Sequence, residues 1–199
     1  MSKLQTKPTN SKLNTIRINA GEWRSRLIKF PDADGLRPTP ERVRQTLFNW
    51  LGQDLTGQTC LDLFAGTGIM GFEALSRNAT AVTMIEKSVP AYKALITNQQ
   101  ILKADRANIF NQDALQFLSA NKQKFNLVFL DPPYHQQWLN KVLPLLNVHL
   151  QVDGLVYVEA EYAIGTIPEF SADWQVLKQG KAGNVFYHLL KSRHGTSIP

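Results

Sequence analysis

The chain has 199 residues, of which 43% are hydrophobic, so it is long enough for one full-sized hydrophobic core and short for two. Its single cysteine, Cys60, excludes an internal disulfide and a cysteine-cluster metal site, and because the four histidines have no ligand-like spacing we predict no bound metal. No apolar run approaches the roughly 20 residues of a membrane-spanning helix, and no secretory signal follows Met1, so we expect a cytoplasmic protein without a membrane partner.

The net charge of +6 is unevenly distributed along the chain. Residues 1–50 contain ten Lys and Arg residues against four Asp and Glu residues, whereas residues 51–199 contain twelve of each sign. A basic segment on a neutral body favours a polyanionic partner, and Trp23 and Phe30 in the same segment support that inference. Any one arginine is more often an ordinary surface charge, so the inference rests on the group. The candidate nucleic-acid contacts are Arg17, Arg24, Arg26, Arg37, Arg42 and Arg44.

The N-terminal part of the chain divides into a tail and a hairpin. Residues 1–14 are mostly polar with few apolar positions, and we predict that they are disordered. Ile16 and Ile18 alternate with polar residues, and after a break at Gly21 the pattern resumes. This predicts a small β-hairpin through about Phe30, with an arginine-rich face.

A helix is predicted at the end of the basic segment. Thr39 is a good N-cap residue and Pro40 a favourable first helical residue, so the helix should extend over about Glu41–Leu51. The arginines of this helix lie outside its apolar stripe. Arg42 is a candidate nucleic-acid contact, and the alternative is that it lies over a ligand pocket. We therefore interpret residues 15–50 as an N-terminal unit that acts as a lid.

The body of the chain, residues 51–191, alternates strand and helix patterns. Such alternation is typical of an α/β fold in which helices cover both faces of a parallel sheet. The predicted strands are residues 59–63, 81–85, 108–110, 125–130 and 155–159, and the predicted helices are residues 71–77, 89–102, 114–121 and 138–146. The last helix should be broken or kinked near Pro144. Two further runs, 174–179 and 184–191, predict an antiparallel hairpin that completes a seven-stranded, mostly parallel sheet, with 192–199 as a flexible tail.

A glycine-rich loop follows the first of these strands. Residues 66–71, Gly-Thr-Gly-Ile-Met-Gly, match the G-x-G-x-x-G pattern between a strand and a helix. Glu86 ends the next strand about twenty residues later, where an acid can hold ribose hydroxyls. These two features fit an NAD(P) oxidoreductase equally well. Asp62 favours a different ligand, because a carboxylate in front of the loop suits an ammonium group better than a phosphate.

Carboxylates follow four successive predicted strands. They are Asp62, Glu86, Asp113 and Asp131. Since the carboxyl ends of parallel strands meet at one edge of a sheet, these side chains should line one cavity. Such a cavity suits a cationic, amine-bearing nucleotide, which describes S-adenosylmethionine.

The fourth strand ends in Asp131-Pro132-Pro133-Tyr134. The prolines stop the strand and lack backbone N–H groups, and Asp131 is biased towards an extended conformation. The resulting shelf suits an exocyclic amino group on a flat base: the carboxylate and the Pro132 carbonyl can accept its hydrogens, and Tyr134 can stack on the ring. The alternative is an ordinary turn, since proline and aspartate are common in turns.

Taken together, these motifs resemble a known family. The body resembles Rossmann-like class I methyltransferases, and residues 131–134 resemble the [Asn/Asp]-Pro-Pro-[Tyr/Phe] motif of enzymes that methylate exocyclic or amide nitrogens. Residues 23–26, 35–39, 42–44 with 47–50, and 61–68 together resemble the RsmD family of bacterial 16S ribosomal RNA guanine-N2 methyltransferases. The resemblance extends from about Ile16 to Lys191.

The resemblance implies an S-adenosylmethionine-dependent enzyme whose partner is 16S ribosomal RNA or the small ribosomal subunit, with a monomer as the default oligomeric state. It implies that the methionine part of the cofactor is held by Asp62, Phe64, Ala65, Gly66 and Gly68. It assigns the ribose to Glu86, the adenine to Asp113 and Ala114, and the target base to Asp131, Pro132, Pro133 and Tyr134. It also includes Lys87 among the cofactor-binding residues.

Alternatives remain for the target and for the activity. The same motif occurs in enzymes that methylate N6 of adenine in DNA or a protein glutamine. The chain has no separate DNA-recognition domain, and glutamine enzymes more often have Asn where Asp131 stands. A catalytically silent RNA-binding protein is a further alternative, against which the intact Asp131 and glycine loop argue.

Overall fold

A computed structural model of the chain describes residues 13–33, 36–134 and 137–193. Within those ranges it contains a two-stranded and a seven-stranded sheet. The strands are β1 Leu13–Arg17, β2 Leu27–Pro31, β3 Thr59–Asp62, β4 Ala81–Ile85, β5 Ala107–Phe110, β6 Phe125–Leu130, β7 Leu150–Ala160, β8 Trp174–Ala182 and β9 Val185–Ser192. The α-helices are α1 Glu41–Leu51, α2 Ile69–Ser76, α3 Val89–Leu102, α4 Ala114–Ala120, α5 Trp138–Leu146 and α6 Pro168–Ser171.

The seven-stranded sheet has the strand order β5-β4-β3-β6-β7-β9-β8. The pairs within β5-β4-β3-β6-β7 are all parallel, and β9 pairs antiparallel with both β7 and β8. The predicted Rossmann-like α/β fold with its C-terminal antiparallel hairpin is therefore confirmed. Successive strands are added to one side of β3 as far as β5, and from β6 onwards they are added to its other side. Open α/β sheets bind ligands at the carboxyl ends of the strands where the strand order reverses in this way.

Helices cover both faces of this sheet because its central strands are apolar on both sides. On one face, α1, α2 and α3 contribute buried side chains such as Leu47, Phe72 and Leu95. On the other face, α4 and α5 contribute Leu118 and Leu143. Burial on both faces explains why β6 is an almost continuous apolar run without alternation.

The N-terminal hairpin packs against α2. The buried carboxylate of Glu73 accepts hydrogen bonds from the backbone N–H groups of Asn19 at 2.8 Å and Ala20 at 3.1 Å. Gly21 has a φ of 82°, and a Cβ at this position would lie 1.7 Å from the carbonyl oxygen of Ser76. Only glycine accepts both the positive φ and this close approach of two backbones.

A second attachment joins the hairpin to α3. Asn98 accepts a hydrogen bond from the Lys29 backbone N–H at 3.1 Å and donates one to the Lys29 carbonyl at 2.7 Å. One amide side chain thus pairs with both backbone groups of a residue in β2, and the hairpin rests on two helices of the body.

Helix α1 has the predicted bounds, but its predicted cap is wrong. The N-cap residue is Pro40, and no side chain caps the helix. Thr39 is buried instead, and its hydroxyl hydrogen-bonds to the carboxyl group of Glu159. Thr39 does not cap α1 because its hydroxyl is hydrogen-bonded to an acid from a distant part of the chain.

The C-terminal half departs from the prediction at several boundaries. Strand β7 begins at Leu150, earlier than expected, and includes Gly154. Strand β8 extends through Gly180 to Ala182, so the hairpin turn is Gly183-Asn184 rather than the whole glycine-rich stretch. Helix α5 has the predicted bounds and is unbroken at Pro144, and the short helix α6 was not predicted.

The predicted tails extend into described structure. Residues 1–12 lie outside the described residues, while Leu13 and Asn14 belong to β1 rather than to the tail. Residues 194–199 also lie outside the described residues, and Ser192 is the last residue of β9. In the described ranges, no helix combines the length and apolarity needed to cross a bilayer.

Candidate active site

The carboxyl edge of the parallel sheet collects acidic side chains from five neighbouring strands. They are Asp62 at the end of β3, Glu86 after β4, Asp113 beyond β5, Asp131 after β6 and Glu159 near the end of β7. The first four are the predicted set. Among the described residues, no three His, Cys, Asp or Glu side chains are arranged to hold a metal ion.

The glycine loop forms the floor of this edge between β3 and α2. Gly66 and Gly68 have φ values of 51° and 77°, which favour glycine. A Cβ on Gly68 would lie 2.3 Å from Cδ2 of Leu95, so the loop backbone rests directly on the core. The N–H of Gly66 donates a hydrogen bond to Glu86 Oε2 at 2.8 Å, which fixes the loop to the end of β4.

The ends of β4 and β5 are joined by charged side chains. Lys87 Nζ lies 3.1 Å from Asp113 Oδ2, and Asp113 Oδ1 accepts a hydrogen bond from the Leu115 N–H at 3.0 Å as the cap of α4. Partial burial acts to raise the pKa of Asp113, but the hydrogen bonds from Lys87 and Leu115 outweigh it, and the pKa is lowered. Asp113 is therefore a carboxylate at neutral pH, beside the buried Ala114.

Asp62 is the most deeply buried of the four predicted acids, with 4% of its surface exposed. Its Oδ2 accepts a hydrogen bond from the Gly71 N–H at 3.2 Å. The pKa of Asp62 is raised to about 7. Burial is the largest cause, the hydrogen bond from Gly71 opposes it, and the charge of Glu86 adds to it. Because no described lysine or arginine pairs with Asp62, a cationic ligand group would stabilise its charged form.

The Asp131 loop leaves the sheet beside the glycine loop. Asp131 is half-buried, Pro132 is buried, and Pro133 and Tyr134 are exposed, the latter with 38% of its surface accessible. Among the described residues, none is recorded as donating a hydrogen bond to the Asp131 carboxyl group. Burial raises the pKa of Asp131 well above its usual value, and the charges of Glu159 and Asp62 raise it further.

Tyr134 lies within electrostatic reach of acids and of one arginine. Partial burial raises the pKa of its hydroxyl, as do the charges of Asp131, Glu159 and Glu161, while the charge of Arg37 lowers it. Arg37 therefore lies within electrostatic reach of the Tyr134 hydroxyl, which sequence patterns did not indicate.

Glu159 received no role from the sequence. Its side chain is 3% exposed, accepts a hydrogen bond from the Tyr157 hydroxyl at 2.9 Å, and is also hydrogen-bonded by Thr39. The sequence did contain an indication that Glu159 belongs to the site, because the predicted fifth strand ends at this acid just as the other four predicted strands end at acids. The contribution of Thr39 could not be found this way, because it comes from a distant part of the chain.

An aromatic contact joins the loop after β3 to helix α5. The ring of Phe64, after β3, packs edge-on against Trp138 of α5, with ring centroids 5.2 Å apart and an interplanar angle of 66°. Lys141 Nζ lies 5.1 Å from the centroid of the Trp138 ring. This contact attaches the start of α5, the helix that follows the Asp131 loop, to the loop after β3.

Five of the six candidate arginines are exposed, and one is not. The exposed ones are Arg17, Arg24, Arg26, Arg37 and Arg42. Arg44 is only 1% exposed, and its guanidinium donates hydrogen bonds to the carbonyls of Thr39 at 3.2 Å and Arg17 at 2.9 Å. The prediction that Arg44 contacts a nucleic acid is therefore wrong, because the guanidinium connects α1 to the hairpin inside the protein.

The two aromatic residues of the basic segment are also part of the core. Trp23 is 5% and Phe30 is 4% exposed, so neither ring is available to stack on a nucleotide. Arg26 remains exposed although it donates a hydrogen bond to the Ile101 carbonyl at 3.0 Å. Among the described residues of the basic segment, the exposed arginines are therefore not accompanied by exposed aromatic rings.

Comparison with known proteins agrees with this architecture. Residues 16–191 match the family model described as Conserved hypothetical protein 95. The chain is 43% identical over 185 residues to ribosomal RNA small subunit methyltransferase D of Escherichia coli K12, a match that covers 92% of this chain and 93% of the relative. It is 42% identical over 199 residues to the protein of the same name from Haemophilus influenzae, with 96% and 100% coverage. The solved structure of yhhF from Escherichia coli superimposes with a TM-score of 0.77 at 42% identity, covering 90% of this chain and 98% of that one.

Proposed function

This chain belongs to the Conserved hypothetical protein 95 family, the RsmD family, and from that membership we propose that it transfers a methyl group from S-adenosylmethionine to the exocyclic N2 of a guanine in 16S ribosomal RNA. The names of its relatives favour small-subunit ribosomal RNA as the substrate. The observation that carries the choice of an exocyclic nitrogen is the position of Asp131-Pro132-Pro133-Tyr134 at the end of β6, directly beside the glycine loop after β3.

The residues at the sheet edge fit S-adenosylmethionine. The buried carboxylate of Asp62 suits the ammonium of the methionine part, and the glycine backbone of residues 66–68 lets that part approach closely. Glu86 has carboxylate oxygens for the ribose hydroxyls, and the cap of α4 at Asp113-Ala114 suits the adenine amino group. Bound there, S-adenosylmethionine supplies a methyl group on a positively charged sulfur, which keeps the bonding electron pair when the nitrogen takes the carbon.

The Asp131 loop would activate the target amino group. The nitrogen lone pair of guanine N2 is delocalised into the ring, so the nitrogen is a poor nucleophile. If Asp131 and the Pro132 carbonyl each accept one of its hydrogens, the nitrogen is drawn towards a tetrahedral shape and its lone pair is freed. The gain comes from positioning and from fixed electrostatics rather than from a covalent intermediate.

Tyr134 would hold the base from its flat side. To reach this edge, a guanine must leave its stack in the RNA, and an exposed aromatic ring offers a new surface for it. The exposed arginines of the N-terminal unit would contact phosphates, since they lie on the basic segment and Arg37 is near Tyr134.

The test is transfer of labelled methyl groups from S-adenosylmethionine to four substrates offered separately. These are unmodified small ribosomal subunits, naked 16S RNA, duplex DNA and a protein pool. We expect label in the subunits, recovered as N2-methylguanine. Asp131→Ala should lower the rate by about 10²-fold or more, as the removal of a preorganised catalytic hydrogen-bonding group does.

Two further variants separate chemistry from folding. Asp131→Asn keeps the size and one acceptor oxygen but removes the charge, and it should retain cofactor binding with a rate between those of the wild type and Asp131→Ala. Tyr134→Phe should keep most activity if the ring stacks, whereas Tyr134→Ala should lose it. Label in DNA or protein would overturn the RNA assignment, and an unaffected Asp131→Ala variant would overturn the site.

A further inference from the structure

Glu159 is a buried carboxyl group at the same sheet edge, and the assignments above give it no part in the reaction. Strands β6 and β7 are parallel neighbours whose register places Leu130 opposite Val158. The next residue on each strand is an acid, Asp131 on one and Glu159 on the other. The two carboxyl groups therefore leave adjacent strands at the same level, with only 3% of the surface of Glu159 exposed.

The hydrogen bonds of the two acids are unequal. Glu159 is hydrogen-bonded by the Tyr157 hydroxyl at 2.9 Å and by the Thr39 hydroxyl. Both bonds stabilise the charged form of Glu159. Asp131 receives no hydrogen bond from a described residue. When one proton binds to such a pair, it binds preferentially to the acid whose anion has fewer stabilising hydrogen bonds, which among the described contacts is Asp131.

We propose that Glu159 is a positioning residue that acts through Asp131: its carboxylate, held by Tyr157 and Thr39, makes Asp131 a stronger base for the amino group that is methylated. This inference rests on the proposed function, because the proposed function supplies the amino group from which Asp131 takes a proton. It adds a second carboxyl group to the site, with a role distinct from binding substrate or cofactor.

The proton balance defines what the pair must do. When nitrogen forms its bond to the methyl carbon, it carries one positive charge and must lose one proton. Asp131 in its ionised form accepts that proton, and the adjacent anion of Glu159 increases its affinity for it. The proton then leaves to water when the product departs, and the pair returns to its original charge.

Other charged groups face this pair and must be considered in its titration. Asp62 on β3 and Glu159 on β7 both raise the proton affinity of Asp131, and Tyr134 follows on the same loop. Tyr187 on β9 lies beside Tyr157, and Arg37 and Glu161 act on Tyr134. Among these, Glu159 is the charged neighbour with the largest effect on Asp131, so its replacement should have the clearest consequence.

The first experiment uses the full chain without RNA. The carboxyl carbons of the aspartates are labelled with ¹³C, and their NMR signals are followed against pH, with Asp131→Asn identifying the signal of Asp131. In Glu159→Gln the removed charge should move the titration of Asp131 to lower pH. Glutamine keeps the size of the side chain and an oxygen that accepts from Tyr157, and unfolding temperatures verify that the variant is folded.

The matched control is Glu161→Gln. Glu161 is two residues further along the same chain segment and influences Tyr134, but it is not among the groups that act on Asp131. This variant removes the same charge from the same edge of the sheet and should leave the Asp131 titration in place. An equal displacement in both variants would overturn the proposal, because it would show a diffuse field rather than a pair.

The second experiment is the pH profile of methyl transfer to small subunits. Activity should fall at acidic pH as Asp131 takes up a proton, and in Glu159→Gln this fall should occur at lower pH, with a lower plateau rate. The ratio of variant to wild-type rate should therefore increase as pH is lowered. A rate reduced by the same factor at every pH would indicate a merely structural role and overturn the proposal.

The two experiments distinguish the inference from the function on which it rests. A displaced Asp131 titration without methyl transfer to any substrate would sink the proposed function while the carboxyl pair stands. Methyl transfer with an unmoved Asp131 titration in Glu159→Gln would keep the function and reject the pair.

Discussion

Three carboxyl groups at the sheet edge, Asp62, Asp131 and Glu159, are buried or half-buried without a lysine or arginine partner in the described part of the chain. Burial raises the pKa of each one in the folded protein. Such a group favours the folded state below its unfolded pKa, and this contribution is lost as pH rises through the folded value. The site therefore weakens the fold at the pH at which it is proposed to work.

Asp62→Asn should stabilise the protein against unfolding, by an amount that depends on pH. The stabilisation should grow from the unfolded pKa of about 4 up to the folded pKa of about 7 and then remain constant. Its plateau should be on the order of 2–4 kcal/mol, since each pKa unit corresponds to about 1.4 kcal/mol. Urea unfolding at a series of pH values measures it.

The exposed Asp105 provides the control for this prediction. Asp105→Asn removes the same formal charge without removing a buried carboxyl group, so the stability of this variant at each pH is the reference for Asp62→Asn. If Asp62→Asn changed stability equally at all pH values, the effect would come from packing rather than from ionisation. The gain in stability should be accompanied by weaker cofactor binding.

At the scale of elements, the N-terminal hairpin is held to the body by specific backbone contacts. Gly21 approaches Ser76 so closely that a side chain would overlap with its carbonyl oxygen, and Glu22 donates its backbone N–H to the same oxygen at 2.7 Å. The buried Glu73 is also paired with Arg77 at 2.8 Å. The arginine-bearing hairpin is thus held against α2 by a short crossing of the two backbones, in addition to its contact with α3 through Asn98.

Gly21→Ala should displace the hairpin, and Gly57→Ala is its matched control. Both glycines have a φ of 82°, so both variants introduce the same backbone strain, but no atom lies within 4 Å of a Cβ on Gly57. Gly21→Ala should therefore cost about 1–3 kcal/mol more in unfolding free energy than Gly57→Ala. Equal losses in the two variants would mean that the backbones do not meet as described.

Sequence patterns predicted those elements whose signal is local. Helix α3 and strand β6 have the predicted bounds, because periodicity and flanking residues determine them within one window. Thr39 and Arg44 were misassigned because their hydrogen-bond partners come from distant parts of the chain. The four predicted acids meet at one edge because strand parallelism follows from the alternating pattern, whereas the pairing of Asp131 with Glu159 required the register of β6 on β7.

At the scale of the whole molecule, the excess positive charge lies in a different part of the chain from the acidic candidate site. The edge of the sheet is acidic, while the N-terminal unit carries the excess of positive charge, with Arg24 and Arg26 exposed on its hairpin. An acidic sheet edge and a separate basic hairpin can bind a cationic cofactor and a polyanionic substrate without competition between them. Binding of the two ligands should therefore respond differently to salt and to substitution.

Replacing both Arg24 and Arg26 by Ala should weaken RNA binding and leave cofactor affinity intact. If both contact phosphates, the slope of log K against log salt should fall by about 1.4–1.8, since each lost phosphate contact contributes about 0.7–0.9. Filter binding or fluorescence anisotropy at several salt concentrations measures the slope, and calorimetry with S-adenosylmethionine measures the cofactor. Because Arg26 also donates to Ile101, the unfolding temperature of the variant must be compared with that of the wild type.

Lys122 and Lys124 allow a control with the same change of charge. Both are exposed and precede β6, so they lie at the opposite edge of the sheet from the site. Replacing both by Ala lowers the net charge equally but removes no charge from the hairpin. If RNA binding depends on the hairpin face, this variant should keep the wild-type salt slope. An equal loss of slope in both double variants would assign RNA binding to net charge alone, and a loss of cofactor affinity in the arginine variant would place the hairpin in the cofactor site.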